Sequence, residues 1–358
     1  VVLPQEVTQL QSLTAAIINP IITHSTKNGN IRKVKNDKID SKGIAKLGLS
    51  KDIPVSQFPA KLVLELRSLT RKYYDLTDER SAHINKLKGD LHTVFPQYLD
   101  VFCDVTGKTS TMILRQYGTP DKILRGHKKT MIEKISKASR KGLAKASERY
   151  EKLCAAANAA KTFGCQIDSI YFNIFLTLDL VEKLDSALDS ILNRIRQLIT
   201  FNKNEKFIQQ IKLLNTIPGV GFLTAVTIMC EIGDFSAFRN PKQLFAYFGL
   251  DPEVNESGKF VGTQLHMSKR GSRIARRAIF AVALASIRTK RNGEGINPYL
   301  RKYYELKSGQ KPKMVAIGAV MHKVCNIVFA VLRDEKAFEL RSPEEHCKQY
   351  QRPALAAA

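Results

Sequence analysis

The chain has 358 residues, with 57 Lys and Arg against 33 Asp and Glu and a formal net charge of +24. Such a field concentrates polyanions and speeds their encounter, so nucleic acid is the expected partner and a basic membrane-surface protein the competing reading. The hydrophobic share of 44% is that of a globular chain with room for two or three domains. No run approaches the roughly 18 consecutive apolar residues of a spanning helix. No charged-then-apolar signal peptide opens the chain, and the cytoplasm is the expected compartment. The six cysteines (103, 154, 165, 230, 325, 347) form no CxxC pair, which argues against structural zinc and disulfides. Cys230 and Cys325, flanked by apolar residues, read as buried thiols.

In chain order, the first expected element is a buried strand at 13–22 (LTAAIINPII), stopped by Asn19-Pro20. A lone strand makes no sheet, so its partners either precede Val1 or come from elsewhere. A polar, basic loop follows at 23–35, and Asn36 caps a helix running NDKIDSKGIAKLGL. Asp37 and Asp40, spaced i and i+3 at that helix start, put two carboxylates on one face about 5–6 Å apart at Cβ. That pair suits a hard cation such as Mg²⁺, or simply complements the helix dipole among Lys35, Lys38 and Lys42.

Residues 60–94 predict a long charged helix with Leu62, Leu66, Leu69, Tyr73, Leu76 and Leu87 on one stripe, ended by Phe95-Pro96. A shorter helix is expected from Thr119-Pro120 to Ile135, with a basic loop at Arg125-Gly126-His127-Lys128-Lys129. Residues 139–198 are almost all helix-forming. Their stripe through Leu176, Leu180, Leu184, Leu188, Ile191, Ile195 and Leu198 suits a helical hairpin or coiled-coil arm.

Two helical patterns then hinge on Ile217-Pro218-Gly219-Val220-Gly221. Gly219 and Gly221 permit positive φ and close approach, and the helix opening at Phe222 begins with unpartnered amides. The hinge therefore reads either as a grip on a phosphate backbone, blind to sequence, or as an ordinary packed turn. Between Gly258 and Gly293 stand nine cations (Lys259, Lys269, Arg270, Arg273, Arg276, Arg277, Arg288, Lys290, Arg291) and no acid. A solvated face would interleave acids; this pattern is that of a phosphate clamp feeding a helix. Ser257, in an expected turn beside Lys259, is a hydroxyl able to attack a phosphodiester once deprotonated, or a plain Ser-Gly turn. Ser268 and Ser272 are rival hydroxyls, read as capping or phosphate-contacting groups. The chain after 341 reads as a loose tail.

Taken in order, these segments resemble one family, the insertion-sequence transposases of the IS one-ten type, which are bridge-RNA-guided recombinases. INPIITHSTKNGNIRKVKNDKIDSKGIAKL resembles the family's strand, loop and D-x-x-D helix, and ELRSLTRKYYDLTDERSAHINKLKGDLHTVFPQY its long helix. IPGVGFLTAVTIMCEIGDFSAFRNPKQLFAYFGLDP, ESGKF and SKRGSRIARRAIFAVALAS are similar to its transposase domain. The resemblance implies that Asp37 and Asp40 are the third and fourth acids of a DEDD set holding Mg²⁺, and that Ser257 is a nucleophile forming a covalent link to DNA. From the hinge and the basic segment, contacts to DNA or RNA backbone are expected at Gly219, Gly221, Lys259, Lys269, Arg270, Arg273, Arg276 and Arg277, and a homo-oligomer, dimer or tetramer, is expected. The resemblance also implies a guide RNA that supplies sequence by base pairing. The family's first Asp, in a GIDVSK-like strand, and its Glu, in an E-x-T-G-like segment, are expected before residue 1, making this an N-terminally truncated chain. An inactive transposase that only binds nucleic acid is the alternative expectation. The expected fold is mainly α with a small α/β part. A partial RuvC-like (RNase H-like) domain at 1–59 precedes a helical, coiled-coil region at 60–202. A C-terminal transposase domain with a helix-hairpin-helix-like hinge follows at 203–340, with the tail at 341–358.

Overall fold

The computed structural model describes residues 41–42, 45–46, 59–203, 205–252, 256–257, 260–261, 266–342, 344–345 and 348. The chain divides into two units, residues 1–64 and 65–358. In the first, 41–42 and 45–46 are helical, within the helix expected after Asn36. The expected strand at 13–22, the loop at 23–35, and Asp37 and Asp40 lie outside the described residues.

The described chain is mainly α. Helix α1 (Lys61–Val94) stops just ahead of Phe95-Pro96, where the proline ring disfavours helical backbone in the residue before it. Leu66, Leu76 and Leu87 are buried on it as the stripe requires. Its C-terminal half, through Leu87, Leu91 and Val94, enters a core shared with α2 (Tyr98–Val101), α3 (Lys108–Gln116), α4 (Pro120–Arg125), α5 (Lys128–Ser139), α6 (Leu143–Phe163) and the start of α7 (Asp168–Phe201). At its centre Tyr98 stacks at a tilt on Phe95 (5.1 Å) and Phe102 (4.9 Å) and donates its hydroxyl to the Ser110 carbonyl (3.1 Å). Burial raises that phenol's pKa, and the Ser110 bond satisfies the one polar group a buried tyrosine carries.

Three sequence expectations change here. Thr119-Pro120 does open a helix, with Thr119 accepting from the Lys122 amide, but it ends at Arg125, and Lys128 and Lys129 begin α5 rather than a loop. The long helical stretch from 139 is broken at 140–142 and again at Gly164, where an added Cβ would meet the Val94 carbonyl oxygen at 2.7 Å. The stripe on α7 is also displaced. Leu176 and Leu180 are 46% and 44% exposed, while Ile174, Leu178, Val181, Leu188, Ile195 and Ile199 are buried. Steps of four overshoot a helical turn, so the Leu176–Leu180 row rotates off the face that steps of three and four keep. Paired forks hold α7 in place: Arg80 on Asp185, and Arg115 on Asp179 and Glu182.

The C-terminal part packs α8 (Lys206–Leu214), α9 (Phe222–Ile232), α10 (Pro241–Tyr247), α11 (Arg273–Ser286) and α12 (Pro298–Ser308) around or beside α13 (Lys313–Asp334). The caps are written in the sequence: Asn240-Pro241, Ser272 and Asn297-Pro298 each accept a first-turn amide. Helix α13 is long and apolar enough to cross a membrane, with mean hydropathy 2.0 over its best window, yet more than half of that window is buried inside the protein. His322, Lys323 and Asn326 interrupt its apolar run, which is why no continuous span shows in the sequence. Cys230 and Cys325 are buried as expected, and burial pushes the Cys230 thiol up to about 12.

Candidate nucleic-acid interface

The hinge joins α8 to α9, with Ile217 and Val220 buried and the Val220 amide donating to the Ile217 carbonyl at 2.9 Å. Gly219 has φ +98, and an added Cβ would stand 2.5 Å from Ser286 Oγ; that hydroxyl donates to the Pro218 carbonyl at 2.9 Å. Close approach at Gly219 is thus used by the protein's own α11. Gly221 differs. It is exposed, sits in ordinary extended backbone (φ −85), caps α9 without a side-chain bond, and has open space where a Cβ would go. The first-turn amides of α9 therefore lack a side-chain acceptor from the cap.

The basic segment is anchored by two backbones crossing at glycines. Gly249 (φ +65) would place a Cβ 2.5 Å from the Gly271 amide, and a Cβ on Gly271 would run into the Tyr247 carbonyl. Around that crossing the Lys269 amide donates to the Gly249 carbonyl (3.0 Å) and the Ser268 amide to that of Asp251 (2.8 Å). Lys269 takes φ +53, a conformation unusual for a side-chain-bearing residue. Ser268 donates its hydroxyl to the Asp251 carboxylate at 2.6 Å. Ser272 caps α11 through the Ala275 amide (3.2 Å). Ser257 lies in a two-residue strand, β1 (Glu256–Ser257), antiparallel to β2 (Phe260–Val261) and in register with Phe260. Lys259 lies outside the described residues.

Of the expected cations, Arg276 is turned inward, donating to the carbonyls of Phe248 (3.2 Å) and Gly271 (2.7 Å), and burial lowers its pKa. Lys269 and Arg270 are exposed. Arg273 and Arg277 border an open groove of about 380 Å³ with Arg71, Tyr74, Asp75, Asp78, Ser272 and Ile274. Arg277 pairs with Asp78 at 2.7 Å and lies over the Tyr74 ring, 4.8 Å from its centroid; Arg273, 84% exposed, reaches the same carboxylate at 3.5 Å.

Beneath the groove Glu231 is 2% exposed and takes a two-bond fork from Arg71 (2.9 and 3.0 Å). Burial alone would raise its pKa. Hydrogen bonds from Arg71 and Ser272, with the charges of Arg71 and Arg67, outweigh burial and leave it below the usual value. Arg67 donates to the Cys230 carbonyl (2.7 Å) and the Tyr247 hydroxyl to that of Glu231 (3.1 Å). This second wall does not emerge from the motifs of the sequence. Arg67, Arg71, Tyr74 and Asp78 step by four, three and four, a polar stripe on α1 as regular as the apolar one, and that regularity is the signal that could have found it. The groove can receive an anion: three guanidinium groups (Arg71, Arg273 and Arg277) line it beside the carboxylates of Asp75 and Asp78, and Asp78, within reach of Arg273 and Arg277, already occupies those two as an anion does.

Among the described residues no group of three or more His, Cys, Asp or Glu is placed to hold a metal ion.

A family model described as "Transposase IS116/IS110/IS902 family" matches residues 211–305, which take in the hinge, the glycine crossing and α11. A second, of DEDD transposases of the IS110 type, matches residues 2–96. The chain is 23% identical over 286 residues to an uncharacterized 43.6 kDa protein of insertion element IS110 from Streptomyces coelicolor, covering 79% of this chain and 66% of that one. It is 24% identical over 311 residues to an IS116 protein from Streptomyces clavuligerus (86% and 74%). It is 30% identical over 177 residues to the pilin gene-inverting protein of Moraxella bovis (49% and 52%). The chain thus spans just under two thirds of the first of these relatives and about half of the last. With both ends of the family's domain order matched in sequence, the chain belongs to the IS116/IS110/IS902 family of transposases.

Proposed function

We propose that this chain cleaves and rejoins DNA as the recombinase of a mobile element. The observation that carries the reading is the acid-free cationic segment from Ser268 to Arg277, fastened by the glycine crossing and facing α1 across an open arginine groove, within the segment that matches a transposase model. Supporting it, a relative named for pilin gene inversion shares half of this chain. Arg273 and Arg277 bind backbone phosphate, Arg276 holds the loop that presents them, and the open amides after Gly221 add a second contact. Lys269 and Arg270 extend the same cationic surface. Contacts of this kind position a duplex without reading it, which fits a system where a structured guide RNA supplies the sequence.

Ser257 is the proposed nucleophile: its hydroxyl gives up its proton as the oxygen bonds to the scissile phosphorus, the bridging P–O bond breaks, and the departing sugar oxygen takes up a proton to leave as a hydroxyl. Asp37 and Asp40 are the proposed Mg²⁺ ligands by resemblance. The described residues do not themselves fit a metal centre. The domain division at 59, 202 and 340 and a homo-oligomeric assembly belong to the same proposal.

The test is trapping of a covalent protein–DNA adduct on DNA carrying the element's end, with wild type, Ser257→Ala and Ser268→Ala. An adduct lost only in Ser257→Ala supports the assignment. Loss only in Ser268→Ala moves the nucleophile to the hydroxyl held by Asp251. Binding with no adduct in any version leaves a nucleic-acid-binding protein and rejects the enzyme.

A further inference from the structure

The α5–α6 hairpin belongs to the other core and carries a charge concentration of its own. Between Lys134 and Ser147 stand Lys134, Lys137, Arg140, Lys141 and Lys145, with no acid. Helix α5 buries Met131 and Ile135, and α6 buries Ala146, Tyr150 and Leu153, so each helix turns an apolar face inward and leaves all five cations exposed. Toward the base of the hairpin the charges are balanced: Lys128 pairs with Glu151 at 2.7 Å and Lys152 with Glu148 at 2.8 Å. Lys134 covers the Tyr117 ring at 5.7 Å. At the tip, Lys137, Arg140, Lys141 and Lys145 make no ion pair among the described residues.

The backbone of the tip points the same way. Arg140 ends α5 in left-handed backbone, φ 52, where glycine is the residue of least strain. Two residues later Gly142 has φ −56, a value any residue adopts, and nothing within 4 Å of where its Cβ would stand. It caps the 21-residue α6 with no side-chain bond, so the first-turn amides stay open. A cation stands where glycine is easier, and a glycine stands where a capping serine or aspartate is easier. The turn between them is fixed rather than slack, since Ser136 donates its hydroxyl to the Lys141 carbonyl (2.8 Å) and the Lys141 amide donates to Ser139 Oγ (3.3 Å).

We propose that this tip is a second binding site for nucleic-acid phosphate backbone, separate from the groove at α11. The proposal rests on the reading that the chain binds nucleic acid and adds a site to it. Lysine is depleted from protein–protein interface cores, and the tip offers one large exposed apolar side chain, Leu143, too little to anchor a protein or a bilayer. Its cations lie on the last turn of α5, in the turn and on the first turn of α6. That spread suits a chain of repeating phosphates better than one small anion.

The test measures binding of the full chain to random-sequence duplex DNA and, in a parallel arm, duplex RNA across a salt series. The variants are a tip variant (Lys137→Gln, Lys141→Gln, Lys145→Gln), Arg140→Gly alone, and a groove variant (Arg273→Gln, Arg277→Gln). The tip variant is expected to weaken binding about ten-fold or more and to flatten the salt slope by about two to three, near 0.9 for each phosphate that is no longer neutralised. The arm showing the larger loss identifies the duplex. Arg140→Gly is expected to raise the melting temperature while weakening binding, a split that a purely structural role does not produce. A tip variant that binds like wild type while the groove variant is weakened overturns the tip and leaves the general reading standing. Salt-insensitive binding, or none, by wild type overturns both.

Discussion

Arg276 and Arg277 are neighbours in sequence with different surroundings, and the difference sets what each substitution does. Arg276 supplies two carbonyls at the glycine crossing, so Arg276→Gln strands buried acceptors and is expected to cost about 2 kcal/mol in chemical denaturation. Arg277 makes a half-open ion pair of a kind worth about 0–1 kcal/mol, so Arg277→Gln should leave stability nearly unchanged and lower affinity for duplex. The same pair yields an opposite prediction for its partner. Asp78 competes with phosphate for Arg273 and Arg277, so Asp78→Asn should tighten duplex binding several-fold and steepen its salt dependence; weaker binding would assign Asp78 to holding the arginines in place. Below them Glu231 has a folded pKa lower than its unfolded value near 4.3. Its contribution is therefore complete above that value and is lost as pH falls through the folded one. Glu231→Gln should lower the melting temperature at neutral pH, and the gap from wild type should close in acid. A gap that is constant with pH would mean that the carboxylate charge contributes nothing.

At the scale of elements, the caps and stops legible in the sequence depend on one or two residues: Phe95-Pro96, Thr119-Pro120 and Ser272 do locally what their chemistry requires, and Asn240-Pro241 and Asn297-Pro298, not among the sequence expectations, cap by the same local chemistry. What was not legible depended on partners distant in sequence. Gly219 looked like a place for a ligand to approach, and its near neighbour is Ser286, sixty-seven residues on. The polar stripe on α1 gains meaning only against Glu231 and Arg277. The buried face of α7 depends on which helices lie beside it, and that produces a direct contrast. Leu178→Ala removes side-chain volume from a packed core and should cost about 2–5 kcal/mol. Leu176→Lys, on the half-exposed row, should change the stability of the isolated chain by less than about 0.5 kcal/mol. Equal losses from the two would return the buried stripe to the row that the leucine spacing suggests.

For the whole molecule, the charge of +24 was the broadest signal and the least local. It points to a polyanion as partner and not to where one would bind, because a net charge carries no coordinates. The structure distributes part of it: some cations are used up in forks to Asp185, Asp179 and Glu231, some hold carbonyls, and among the described residues two clusters stand at the α11 groove and the α5–α6 tip. If one duplex spans both places, the two sites act as linked modules, and losing either removes the gain from tethering as well as its own share of the binding. Combining the tip and groove variants would then cost less than the sum of the two logarithmic losses on a long duplex, while on a duplex too short to reach both the losses would be additive or confined to one site. Strict additivity at every duplex length is the result that separates the sites, each holding its own nucleic acid, and it would assign the tip to a strand other than the one at the groove.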